Sequence, residues 1–413
     1  MHLQRIQVPD FRGLKDIDIT FEKEFTPRIF PLGSQNGGGK STLLQLIFTL
    51  IHCSIDPDKK TFLENMLNGF KIYDSCNKRV LAIIDIIIDN KIVKLEFFCY
   101  KDLYITALIG NKDDIKNTNL RFSAPTLLEN FDKYYEDEEF PYSYEELELV
   151  SPLITEYLMA EKLIYIVNTY ESETYQEDEV LLCRIDGIDM SEADSFLEQI
   201  SQKIFLAAPA SQLFLFVSKE SRKLLFRKNN NEEKDYYAEV ETAKYELTGF
   251  FTYDFLSVDI LIDSFKAAGD RDFQEVIETG EYGNNYKTLR NDLNRILVNK
   301  KVNIDKDLAG VTFSLDKNGE NVELYPEDLS HGELKRLSIY MWIKYRNIEN
   351  AIVLIDEIEI AFHPDWQYQI ISDLLEWSPS NQYILATHSY ELCQAVTPSH
   401  VKEIEPKLIK KEA

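Results

Sequence analysis

A ten-residue segment restricts this chain more than any other feature: Gly33-Ser-Gln-Asn-Gly-Gly-Gly-Lys40-Ser41-Thr42. A short apolar run, residues 28–33, precedes it, and a mostly apolar stretch, residues 42–53, follows it. Strand, glycine-rich turn and helix in that order build a phosphate cradle. Glycines let successive backbone N–H groups curl around a polyphosphate, and the helix N-terminus adds the positive end of its dipole. In such a cradle Lys40 reaches the β- and γ-phosphates, and Ser41 offers its hydroxyl to Mg²⁺. Asn36, Gly37, Gly38, Gly39 and Thr42 complete the turn. One position departs from the strict pattern. Glycine is expected five residues before Gly39, and Ser34 stands there, so a serine must take the turn that glycine usually makes.

Composition narrows the functional classes. The chain has 413 residues, 44% hydrophobic and 28% charged, an ordinary globular balance that excludes wholesale disorder. Its formal charge of −26 argues against a generic nucleic-acid coater, because non-specific phosphate binding needs a basic surface. Nucleic-acid contact would need a local basic stripe, and residues 219–228 hold the one dense candidate: Lys219, Arg222, Lys223, Arg227 and Lys228. The five cysteines form no CxxC pair, which fits neither a disulfide framework nor a zinc site. The first residues lack a signal-peptide core, and no stretch reaches the roughly 18 apolar residues of a membrane span. A cytoplasmic protein with no membrane partner is the expectation.

Three further signals follow, in chain order at residues 329–333, 351–357 and 384–389. Ala351-Ile-Val-Leu-Ile-Asp356-Glu357 is an apolar strand ending in two carboxylates. Beside the cradle, Asp356 would hold the Mg²⁺ shell and Glu357 would act as general base or orient water. Leu329-Ser330-His331-Gly332-Glu333 starts a helix whose N–H groups make an anion site. Ser330 and Glu333 also read as a capping box, and the two readings are compatible. Ile384-Leu-Ala-Thr-His388-Ser389 is a strand ending in histidine, and a lone histidine in that place is more often structural. Ser330 precedes Asp356 by 26 residues, and Glu357 precedes His388 by 31.

With these motifs in this order, the chain resembles an ABC-type ATPase head of the SMC/RecF/OLD group. Asp10-Phe-Arg12-Gly-Leu-Lys15-Asp-Ile is similar to that group's opening strand, and Asn36 suits its cradle. The hairpin with Gly319, Leu324 and Pro326 is similar too, as is Asp356-Glu-Ile-Glu359-Ile-Ala-Phe-His363-Pro364, where Ile358 replaces the usual proline. The resemblance covers residues 1–55 and 306–395 well and the middle poorly.

The resemblance implies an α/β fold: a P-loop NTPase core, an antiparallel β subdomain and a helical insertion. It implies ATP and Mg²⁺ as ligands, His388 as a γ-phosphate sensor, and Gln212 as the glutamine that joins Mg²⁺ to the helical lobe. It also implies a homodimer or higher homo-oligomer sandwiching ATP, with Ser330, Gly332 and Glu333 facing the nucleotide of the opposite subunit. His363 falls where such subunits touch. Arg12 either nears the nucleotide or pairs with an acid.

Organisation follows the motifs. Residues 1–110 carry the cradle, 111–160 an acidic insertion with EDEE and EELE, and 161–218 further strands and Gln212. Residues 219–305 read as a helical insertion, and 306–413 carry the remaining motifs. Residues 191–205 read as a helix leading into a loop at 206–212, and 402–413 as a charged tail. The separation of 290 residues from Lys40 to Ser330 and the 25 residues given after His388 lead to the expectation of neither a long coiled-coil arm nor a nuclease domain. This architecture resembles the stand-alone ATPases of anti-phage modules such as Septu and PARIS, which act with a separately encoded effector such as a nuclease. The acidic run at 132–148 reads as an effector surface or as a solvated face. A DNA-loading repair ATPase of the RecF/SMC type is the alternative.

Overall fold

The computed structural model describes residues 1–35, 37–73, 76, 78–101, 159–169, 179–224, 236–253, 258–305, 310–317 and 320–404. The N-terminal third supplies β1 (His2–Phe11), β2 (Leu14–Thr20), β3 (Ile29–Gly33), α1 (Lys40–Cys53), α2 (Lys60–Leu67), β4 (Lys78–Ile88) and β5 (Lys91–Lys101). The middle contributes β6 (Leu163–Thr169), β7 (Glu179–Asp186), α3 (Ala193–Ser201), β8 (Ile204–Ala208), α4 (Lys219–Leu224), α5 (Tyr236–Glu246), β9 (Phe250–Thr252), α6 (Val258–Thr279), α7 (Asn285–Ile296) and β10 (Lys300–Ile304). The last part holds β11 (Val311–Lys317), β12 (Glu320–Leu324), α8 (His331–Tyr345), β13 (Ile352–Asp356), α9 (Pro364–Trp377), β14 (Gln382–Thr387), α10 (Tyr390–Gln394) and β15 (Lys402–Glu403).

Two six-stranded sheets organise these elements. One is antiparallel, in the order β2-β1-β4-β5-β7-β6, and the other is parallel, in the order β15-β3-β14-β13-β8-β9. A three-stranded sheet, β10-β11-β12, flanks them. The antiparallel strands alternate: Leu3, Ile6 and Val8 are buried, while Arg5 and Gln7 face Asp18 outward. Asp89 and Asn90 link β4 to β5 with positive φ at both residues, the twist a two-residue hairpin turn needs. The parallel strands β13 and β14 are buried at every residue, as expected of strands covered on both faces.

Their alternation divides the core in two. Ile352 and Leu354 of β13 join α1 and the antiparallel sheet in one cluster. Val353 and Ile355 join α6, α8 and α9 in the other. Helix α1 thus lies between the two sheets, and most of its residues are buried. The Gln382 side chain couples the sheets through both backbone groups of Leu3, accepting from its N–H at 2.7 Å and donating to its carbonyl at 2.9 Å. A buried Arg336–Asp373 pair, at 2.7 and 2.8 Å, joins α8 to α9.

Three local readings need correction. The helix expected over 191–205 ends at Ser201, and the loop expected from 206 begins as strand β8. A short apolar run cannot be told from a helix end by periodicity, and here pairing of Leu206 with Leu354 decides it. The stretch read as a helical insertion also contains β9, which extends the parallel sheet beyond β8, and β10. Lys402 and Glu403 of the expected tail pair with β3. The acidic run at 132–148, and Arg227 and Lys228, lie outside the described residues.

His52 closes α1 and is buried, with its ring stacked on Phe48 at 4.9 Å and its Nδ1 2.8 Å from the Ser201 carbonyl. Nδ1 donates there, which leaves Nε2 buried without a partner. Burial holds its pKa down at about 4, against an ordinary 6.5. The unfolded chain therefore binds this proton more readily. Stability from His52 is complete above pH 6.5 and falls as the pH drops towards 4, by about 3 kcal/mol at roughly 1.4 kcal/mol per unit. Urea unfolding between pH 7 and 4 should show this loss, and His52→Phe should shallow the slope by about one proton.

Candidate functional site

The C-terminal ends of four neighbouring strands, β3, β14, β13 and β8, open on one side of the parallel sheet. In open α/β sheets this edge is where ligands bind. β3 delivers the glycine turn, β14 His388, β13 Asp356 and Glu357, and β8 leads into the turn ending at Gln212.

Within the cradle, Gly37 and Gly39 take φ of 79° and 87°, a region that disfavours side chains. Ser34 makes the turn by local bonding, its hydroxyl donating to the Gln35 carbonyl at 2.9 Å. This placement demands glycine at 38, because a Cβ there would stand 2.3 Å from Ser34 Oγ. Lys40 is buried, and its Nζ donates to Ser34 Oγ at 3.0 Å and meets His388 Nε2 at 3.0 Å. Burial lowers the Lys40 pKa, while Asp356, Glu359 and Glu357 act in the opposite sense. Asn36 lies outside the described residues, and Thr42 follows Ser41 in the first turn of α1.

Asp356 is 1% exposed, and both carboxylate oxygens are buried without a hydrogen-bond partner. Burial pushes its pKa up to about 7, although the nearby Ser41 hydroxyl favours the charged form. Two orphaned carboxylate oxygens beside a serine hydroxyl fit a hard divalent cation. Glu357 follows with φ of 51°, a strained conformation for a residue with a side chain. Its Oε2 accepts from Gln212 Nε2 at 2.7 Å, and Ser41 Oγ donates to Gln212 Oε1 at 3.4 Å. Gln212 thus links the cradle hydroxyl to the Glu357 carboxylate. Ile358, in place of the expected proline, is fully buried in the second core cluster.

Ser330, Gly332 and Glu333 stand apart from this group, at the start of α8. Ser330 caps the helix: its Oγ accepts from Glu333 N at 3.3 Å, and its own N–H donates to Glu333 Oε2 at 2.9 Å. Lys300 Nζ donates to both oxygens of Glu333, at 2.6 and 2.7 Å. Burial works against the Glu333 charge, yet Lys300 and the Ser330 donors outweigh it and leave the pKa below the usual range. Glu333 is therefore engaged within its own chain, while Ser330 and His331 stay exposed. A Cβ at Gly332 would meet the Ala361 carbonyl at 2.5 Å, so glycine lets α8 close on the loop after β13. His363 is an exposed N-cap of α9. Arg12 donates to the Met66 carbonyl at 3.0 Å, at the end of α2.

Several positioning residues carried no sequence signal. Gln45 of α1 donates to the Gln212 carbonyl at 2.8 Å and accepts from the N–H groups of Phe214 and Leu215. Tyr236 adds a hydroxyl donated to the Ala210 carbonyl at 2.6 Å. Lys335 of α8 reaches the carbonyls of Glu357 at 2.7 Å and Ile360 at 3.2 Å, and Tyr253 donates to the Asp356 carbonyl. Lone polar residues in apolar helices show such roles only after folding. The glycine geometry gives a direct test. Gly38→Ala should weaken binding of a fluorescent ATP analogue at least tenfold, and adding Ser34→Gly should restore part of it. Unchanged binding by the single variant would contradict this cradle.

Comparison with known proteins agrees with the geometry. The AAA ATPase domain family model, AAA_15, matches residues 1–393. The Retron Vc95 probable ATPase of Vibrio cholerae serotype O1 biovar El Tor is 30% identical over 150 residues, 33% of this chain and 26% of that protein. The Retron Ec83 probable ATPase of Escherichia coli is 34% identical over 110 residues, 24% of this chain and 20% of that protein. The chain thus aligns with about a quarter or less of the length of either relative. An SMC head domain from Thermotoga maritima aligns over 96% of this chain and 92% of its own, at 10% identity and a TM-score of 0.41. No helix among the described residues is long and apolar enough to cross a membrane. A family match running from the first strand into α10, on a chain whose glycine turn, acidic strand end and histidine share one sheet edge, shows that it belongs to the AAA ATPase domain family.

Proposed function

We propose that this chain hydrolyses ATP between two copies of itself and serves as the regulatory ATPase of a multi-protein module that controls a separate effector, such as a nuclease. The observation that carries this reading is the meeting of Lys40, Ser41, Gln212, Asp356, Glu357 and His388 at the ends of adjacent parallel strands. Lys40 and the cradle N–H groups bind the β- and γ-phosphates. Glu357 orients the attacking water and takes its proton, with Gln212 fixing the carboxylate. His388 lies beside Lys40, where it can report on the γ-phosphate. Ser41 and Asp356 would hold a divalent cation, which would supply charge neutralisation to the bound phosphates.

Ser330 and His331 are exposed at the start of α8, and a helix start of this kind suits a phosphate held by a second copy. Loss of that phosphate then releases the partner, so hydrolysis works as a timer. The module role draws on the two relatives named as retron ATPases, and on a net charge of −26 that disfavours generic DNA coating.

Glu357→Gln should keep ATP binding, lower turnover at least a hundredfold and accumulate an ATP-dependent dimer by light scattering. Ser330→Arg should lower turnover without forming that dimer. Wild-type turnover in Glu357→Gln, or no ATP-dependent association, would refute the sandwich. For the module, co-expression with neighbouring genes should yield a stable complex. DNA-stimulated turnover with steep salt dependence would point instead to a DNA-loading ATPase.

A further inference from the structure

We infer that Glu359 is the positioning residue of the switch histidine: it clamps the turn carrying His388 to the loop carrying Glu357. This rests on the ATPase reading of the site. Glu359 is 8% exposed, and its Oε1 accepts the His388 backbone N–H at 2.6 Å. Its other oxygen, Oε2, is buried without a hydrogen-bond partner. A nearly enclosed carboxylate with a single hydrogen bond is costly to keep, so bulk packing does not explain it.

The surrounding loop is wound tightly. Glu357 and Ala361 on either side take φ of 51° and 70°, and Lys335 holds the Glu357 and Ile360 carbonyls from the far side. From this loop the Glu357 N–H reaches the Ala386 carbonyl of β14 at 2.9 Å, and the Glu359 side chain takes the His388 N–H just beyond the strand. There the His388 ring meets Lys40 Nζ at 3.0 Å. With the amide of residue 388 fixed, the imidazole keeps its place against the lysine and, through the shared loop, its register with Glu357. Glu359 touches no reacting atom in this scheme and acts through His388.

The consequence is a loss in the chemical step with binding retained. Glu359→Ala should lower kcat at least tenfold while KM for ATP stays within about threefold. Glu359→Gln keeps an oxygen that can accept the same N–H, so it should restore kcat to within about threefold of wild type. Combining Glu359→Ala with His388→Ala should cost no more than His388→Ala alone, because residues acting as one unit are not additive. Hydrogen exchange adds a readout independent of turnover. The His388 amide should exchange at least tenfold faster in Glu359→Ala than in wild type or Glu359→Gln. Wild-type kcat in Glu359→Ala, a Gln variant as impaired as the Ala variant, or losses that multiply in the double variant would each overturn the inference. A wild-type chain without turnover would sink the ATPase reading alone. The exchange result would then decide the clamp, with an unchanged His388 amide rejecting it.

Discussion

The register of three parallel strands holds this site together. Gly33 of β3 pairs with Thr387 of β14, and Ala386 pairs with Asp356 of β13. Those pairings bring the cradle, the histidine turn and the acidic strand end to one level. A slip by one residue would turn each side chain to the opposite face, moving Ile355 and Leu354 between the two core clusters. Burial on both faces makes that slip prohibitive, because every residue of β13 and β14 is covered. Hydrophobic packing on the two faces therefore fixes the spacing of charged groups at the strand ends.

At that edge the structure accepts conformations and charges that packing alone would reject. Asp356 carries two buried oxygens without partners, Glu359 one, and Glu357 a left-handed backbone. Each is unfavourable taken singly. They persist because the loop after β13 is held from several directions. The Glu357 N–H donates to the Ala386 carbonyl at 2.9 Å, Tyr253 bonds the Asp356 carbonyl, Lys335 bonds two further carbonyls, and Gln212 holds the Glu357 side chain. Preorganisation of this kind suits phosphoryl transfer, where placement and electrostatics do most of the chemistry.

Lys335 also connects the two halves of the proposed mechanism. It lies two turns or less along α8 from the Ser330 cap, and its ammonium sits 4.0 Å from the centroid of the Tyr253 ring, which directly follows β9. A displacement of the helix tip would thus be felt at the carbonyl of Glu357. Gly332 allows the helix start to approach the Ala361 carbonyl of the same loop.

Much of this was legible in the chain as written. The glycine turn, the apolar strand ending in Asp356 and Glu357, the serine cap with Glu333 and the strand ending in His388 each depend on local residue chemistry, and each lies on the expected element. Local order could not reveal β8 or β9, whose short apolar segments became strands only by pairing with β13 and with each other. Nor could it reveal the contacts of Gln45, Tyr236, Lys335 and Glu359, whose partners lie far away in sequence. The sequence by itself determined which residues have the chemistry to handle phosphate, because glycine, lysine and carboxylate carry it in their own atoms. Only the tertiary structure decided how those groups are aimed, because aim depends on contacts between distant segments that exist only once both faces of the parallel sheet are covered.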